Sequence, residues 1–123
     1  MAAIEPNETQ NTGFEQLREA LENVEGVFNV EVTNGYAMWT HDISSHYFFR
    51  PDGLDPKSTA HACEWMRQRI AEKGLLVNIC TGPSIVWASI YREVMSCADW
   101  DGSFQTEQEA TLNAFLWTFK GGK

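Results

Sequence analysis

Three histidines and three cysteines are the side chains of this 123-residue sequence best suited to chemistry. His41, Asp42 and His46 fall close together, and imidazole nitrogens with a carboxylate oxygen form a donor set for a transition metal. Their spacing matches no compact metal site, and His61 and Cys63, two apart on an expected helix, diverge. They are expected to be structural or surface residues, and no metal ligand is assigned. Asp99-x-Asp101-Gly102 has part of a calcium loop but lacks the later glutamate, so a turn is expected. Cys63 and Cys80 lie among apolar residues, where a thiol stays protonated, and an acid near Cys97 raises its pKa. No Walker or Rossmann glycine pattern, no G-x-S-x-G and no H-E-x-x-H occurs. Neither a catalytic residue nor a cofactor is therefore expected.

Charge and aromatic residues carry more information. Seventeen acids against nine bases give a net charge of −8, which argues against direct nucleic-acid binding, where Lys and Arg must displace counterions. Residues 1–31 hold seven acids and one base, and residues 98–109 hold four acids and no base. Glu15, Glu19 and Glu22 share one helix face, with Glu25 just beyond. Such a face is either solvated for solubility or offered to a basic protein partner. Five tryptophans are spread along the chain. Trp87 and Trp117, set in apolar segments, are expected in the core. Trp100, between two aspartates, and the run Tyr47-Phe48-Phe49 are expected in loops, either exposed as anchors or folded back as a lid. The partner-binding set expected from the sequence is Glu15, Glu19, Glu22, Tyr47, Phe48 and Trp100.

Three helices must position these residues. Thr12 with Glu15 is a capping box for the first, whose Phe14, Leu17, Leu21 and Val24 share a face until Gly26 stops it. Asp55 and Pro56 open the second, with Ala62, Cys63, Met66 and Ile70 as its apolar stripe, Trp65 on the flank and Gly74 past its end. Thr106 with Glu109 caps the third, lined by Leu112, Phe115, Leu116 and Phe119 and widened by Ala114 and Trp117. Between helices the period falls to two. Phe28, Val30 and Val32 alternate with polar residues up to Asn34-Gly35, a hairpin signal in which both central residues take positive φ. The return strand runs from Tyr36 to about His41, and a second pair covers Leu75–Cys80 and Ser84–Tyr91. Residues 44–53 and 99–103 read as loops.

The expected fold is α+β, a layered helix–sheet domain of order α-β-β-α-β-β-α with about four strands and three helices. It spans residues 12–120, after a flexible lead-in over 1–11. The two αββ units suggest a duplication: a shift of about 48 residues matches Gly26 with Gly74, Thr33 with Thr81 and Trp39 with Trp87. No basic, apolar leader and no run of roughly 20 apolar residues occurs, and the cysteine count is odd, so a cytoplasmic protein with reduced thiols is expected.

The stretch Phe48 to Trp65, then a helix, two strands and an Ala-rich helix, resembles the small phage and prophage proteins of the phage ABA-sandwich domain family. The matching residues are Ser58, Thr59, Ala62, Trp65, Gly74, Trp87, Ala110, Ala114 and Leu116. The likeness covers about residues 48–119, with Ala60 and Glu64 departing from the family pattern. It implies a layered fold and a phage-related origin, in a host cytoplasm, and no reaction. The expected function is a non-enzymatic, acidic protein-binding or accessory module that inhibits a host nucleic-acid-binding or defence protein. The rival is a small-molecule or metal-dependent binder or enzyme with a site near His41, Asp42 and His46. A homodimer through edge strands or helix faces is the third reading.

Overall fold

The computed structural model describes residues 16–33, 35–50, 55–92 and 97–121. Helix α1 covers residues 16–22, and its expected cap at Thr12 and Glu15 lies outside the described residues, as does the lead-in. Three strands follow, β1 (Val27–Val32), β2 (Ala37–His41) and β3 (Ser45–Phe49), then α2 (Pro56–Glu72). A second set, β4 (Leu76–Thr81), β5 (Val86–Tyr91) and β6 (Ala98–Phe104), leads into α3 (Glu107–Leu116), which ends in a π turn at Trp117–Gly121. The two sheets are antiparallel meanders, β1-β2-β3 and β4-β5-β6. The described residues thus form six strands, not the four expected, in the order α-βββ-α-βββ-α. The third strand of each sheet replaces an expected loop.

The helix ends follow the capping logic of the sequence. Asp55 accepts from the Ser58 backbone N–H at 3.4 Å, and Pro56 occupies the first turn, where its missing N–H has no intrahelical partner to lose. The Thr106 hydroxyl accepts from Glu109 N–H at 3.1 Å, while the Glu109 carboxylate accepts from Gln105 N–H at 3.0 Å, one residue before the usual capping-box donor. Gly26 and Gly74 both take left-handed φ, at +89° and +80°, as chain reversals after α1 and α2 demand.

The helices meet the inner faces of both sheets in one core. Leu17 and Leu21 of α1, Trp65 and Met66 of α2, Trp39 and Phe49 of sheet 1, Ile90 of sheet 2 and Phe115 of α3 are buried in a single cluster. A smaller cluster of Val86, Ala88 and Ala110 continues it under sheet 2.

Local deviations decide which side chains point outward. A bulge in β1 shifts the register between Phe28 and Glu31, with Asn29 at φ +56°. An extra residue reverses the alternation. Val30 and Val32 therefore pack on the core, and Phe28, expected beside them, faces out. At the β1–β2 turn the Thr33 hydroxyl accepts from the Gly35 and Tyr36 backbone N–H groups, both at 3.3 Å. Asn34 lies outside the described residues.

Both sheets share one strand order, with matching hairpins closed by Thr33 N–H to Tyr36 C=O (2.9 Å) and Gly82 N–H to Ile85 C=O (2.8 Å). Aligning these turns sets Trp39 against Ala88, one residue away from the expected Trp39–Trp87 match. One residue is a full change of face in a strand. Trp39 is buried and Trp87 is half exposed.

A candidate protein-interaction surface

The inner face of sheet 1 is closed by rings. Tyr47, expected as a loop anchor, sits on β3, stacks on Trp39 (5.9 Å between centroids) and His61 (5.0 Å) and meets Trp65 at a tilt (5.3 Å). Trp100, expected as an exposed loop residue, lies on β6 opposite Ile90 and stacks on Phe104 and Trp117. Trp100 is partly buried, and Trp87, expected in the core, is half exposed. Val86, Ala88 and Ile90 of β5 point inward, so Trp87 must point out. Cys80, expected among buried apolar residues, is exposed on the same outer side.

The outer face of sheet 1 is different in character. Its cross-strand rows are Phe28–Thr40–His46 and Glu31–Met38–Phe48. Phe28 is 43% and Met38 37% exposed, and Met38 lines a shallow groove. That groove, of about 570 Å³, is lined by residues including Glu31, Met38, His46 and Phe48. Tyr36 packs at a tilt against Phe48, 5.3 Å between centroids, and donates its hydroxyl to Glu31 at 3.4 Å. Thr40 is buried beneath the rows, sharing a hydrogen bond of 3.1 Å with His46 Nδ1. Phe48 alone of the three expected anchor rings lies on this face.

The stretch of chain that builds sheet 1 carries charge of one sign, although Arg18 of α1 reaches the Val30 carbonyl of β1 at 3.4 Å. From Glu19 to Phe49 the chain carries Glu19, Glu22, Glu25, Glu31 and Asp42 and neither Lys nor Arg. Glu19 and Glu22 are exposed on α1; Glu15 lies outside the described residues. The signal for this surface was present in the sequence as the absence of bases over this stretch. Its apolar part was hidden by the β1 bulge.

The histidines do not assemble. His41 pairs in register with Ser45, and His46 with Thr40, so the two imidazoles face opposite sides of the sheet. Among the described residues no group of three or more His, Cys, Asp or Glu is placed to hold a metal ion. His41 and Asp42 (3.8 Å apart) instead line a cleft of about 770 Å³ with Arg69, Glu72 and Lys73. Arg69 lies over the Trp65 ring and pairs with Glu72 at 3.1 Å, while its buried Nε has no hydrogen-bond acceptor.

The three thiols occupy distinct environments. Burial pushes the Cys63 pKa up to about 11 against a partial opposing effect of Arg67, whereas Cys80 and Cys97 are exposed. Ellman's reagent at pH 8 should therefore modify Cys80 and Cys97 in the native protein and reach Cys63 only on unfolding. Three fast thiols would contradict the buried position of Cys63. The same shift gives a sign for pH dependence: Cys63 favours the fold below its unfolded pKa near 9, and that contribution is lost as pH rises toward about 11.

No helix among the described residues is long and apolar enough to cross a membrane. Comparison with known proteins found no matching family model, no similar curated protein and no similar solved structure.

Proposed function

We propose that this chain is a non-enzymatic protein-binding module, of the phage accessory type that its sequence resembles, acting in a host cytoplasm. It docks the open face of sheet 1 on a basic surface of a host protein. The observation that carries the reading is the coincidence of outward Phe28, Met38 and Phe48 with a stretch of chain that has acids and no Lys or Arg. Apolar side chains beside Glu31, on an acid-rich stretch of chain, fit a surface of arginines and lysines: the acids steer the approach, and guanidinium groups stack on Phe28 and Phe48. A nucleic-acid-binding or defence protein presents such a surface, and occupying it would inhibit by competition. The acids are too sparse to imitate a whole duplex, which carries about one charge per 1.7 Å of axis.

Affinity capture from host lysate at low and high salt tests the proposal. A basic partner should be retained at low salt, released at high salt, and lost when Phe28→Ser and Met38→Ser are combined. Both side chains are exposed, so the double variant keeps the fold, as circular dichroism would verify. Removing two apolar contacts from the centre of an interface weakens binding about tenfold to a hundredfold. No partner at low salt, or a partner held equally by the variant, would sink the reading.

The cleft beside His41, Asp42 and Arg69 favours a second reading, a small-molecule site, because Arg69 Nε has no acceptor. His46 has no part in it. A melting scan with small carboxylates and nucleotides separates the two: a rise of several degrees, absent in Arg69→Ala, would support this one.

A further inference from the structure

Among the described residues four strands, β1, β3, β4 and β6, lie at sheet edges with a strand partner on one side only. An edge offers unpaired N–H and C=O groups to any incoming strand, and folded proteins blunt it with charges, bulges or a covering element. Three of these edges are blunted. β1 is bulged at Asn29 and carries Glu31. β6 carries Asp99 and Asp101, and its register breaks opposite Ile90 and Tyr91. β3 packs against α2, its buried Phe49 leading to Arg50, whose N–H and C=O are both bonded to the Thr59 hydroxyl.

β4 also packs against α2 and α3, but it carries neither a charge nor a bulge. Its sequence, Leu76-Val77-Asn78-Ile79-Cys80-Thr81, contains no charge, proline or glycine and runs in one unbroken register along β5. Every one of its residues is at least partly exposed, including the inward Val77 and Ile79, whereas Val86, Ala88 and Ile90 of the neighbouring strand are buried. Undefended edges of this composition are pairing sites.

We propose that β4 pairs antiparallel with β4 of a second copy of this chain, joining two three-stranded sheets into one of six strands. Charge selects this occupant and this contact. Two chains each carrying −8 repel over most of their surfaces, and β4 is a line along which they meet without a like charge. The charges that flank it are opposite and sit at opposite ends. Lys73 precedes the strand, its ammonium 5.5 Å over the Phe119 ring, and Glu107 accepts from the Thr81 hydroxyl at its end (2.6 Å). Antiparallel pairing about a two-fold brings the start of one strand to the end of the other, and so the Lys73 end of one copy to the Glu107 end of the second. A two-fold through Asn78 or Ile79 also preserves the faces: Leu76, Asn78 and Cys80 of both copies stay on the outer side, Val77 and Ile79 on the inner. Leu76, 44% exposed, is then partly covered.

Sedimentation of the full chain over a hundredfold range of concentration tests the proposal. The mass should rise from 13.9 kDa toward twice that value. Combining Asn78→Lys with Cys80→Lys, both on exposed side chains, sets like charges across the seam and should leave a monomer throughout. Hydrogen exchange should show β4 amides that gain protection with concentration in the wild type and not in the variant. A wild type that stays monomeric, or a lysine variant that still dimerises, overturns the proposal. So does loss of the dimer in the Phe28→Ser, Met38→Ser variant, which would move the interface to sheet 1. The contact does not depend on the docking face, and either can fail while the other stands.

Discussion

Truncating Trp65 to alanine is expected to lower the unfolding free energy by about 3–5 kcal/mol, the range for deleting a large buried ring. The residue is 3% exposed and sits where the elements meet. Its ring lies 5.2 Å from Trp39, 5.3 Å from Tyr47 and 5.7 Å from Phe115, joining sheet 1, α2 and α3. His41 meets it edge-on at 5.5 Å, and the Arg69 guanidinium covers it at 5.6 Å. Removing the ring opens a cavity between rigid neighbours that cannot collapse into it. A domain of this kind has a total of about 5–15 kcal/mol, so the variant would be marginal. Trp65→Phe refines the prediction, because the indole Nε1 is buried without an acceptor. Phenylalanine keeps most of the packing and removes that unpaired donor, so the loss should stay below about 1.5 kcal/mol. Urea unfolding of both variants measures this; a loss under about 1 kcal/mol for alanine would show that the ring is not central to the core.

Much of this core was legible in the sequence, because helices declare themselves locally. Asp55-Pro56 and Thr106 with Glu109 mark the starts of α2 and α3, and the stripe of Ala62, Cys63, Met66 and Ile70 is buried as its spacing requires. The strands that read as loops were hidden for different reasons. β6 contains Asp99, Asp101 and Gly102, residues that strands disfavour, and is held by its pairing with β5. In β3 the unbroken run Tyr47-Phe48-Phe49 has no alternation to reveal which ring faces in. Register against β2 settles that Phe48 faces out.

The candidate surface was only half legible for the same physical reason. Its acids are a property of the chain and could be counted. Its apolar part depends on one extra residue in β1, which turns Phe28 outward while leaving Val30 and Val32 inside. Trp87 and Trp100 exchanged their expected positions because face is a property of strand pairing, invisible to a reading of composition around each residue. The cleft beside His41 is a tertiary product: α2 carries Arg69 to a turn of sheet 1 that is distant in sequence. The sequence could not announce that neighbour.

Gly26→Val should be the second most damaging of these substitutions, at about 3 kcal/mol, and the paired change Gly74→Val should cost about half as much. Both glycines hold left-handed φ, so a side chain at either adds roughly 1–2 kcal/mol of backbone strain. Their surroundings then separate them. A Cβ at Gly74 meets no atom within 4 Å. A Cβ at Gly26 stands 3.3 Å from Asp42 Oδ1 and 3.4 Å from the His41 ring. Asp42 can give way, since its side chain is largely exposed. His41 cannot, because its ring is wedged against Trp65 and its side chain is only 14% exposed. The branched methyls of valine must therefore press on an immobile ring, and overpacking of this kind adds about 1–3 kcal/mol. Gly26→Ala, reaching only the edge of the contact, should fall between the two. Denaturant midpoints for the three variants test the ordering. Equal losses at positions 26 and 74 would mean that backbone strain alone acts, and that the glycine does not serve to let the β2–β3 turn close on the end of α1.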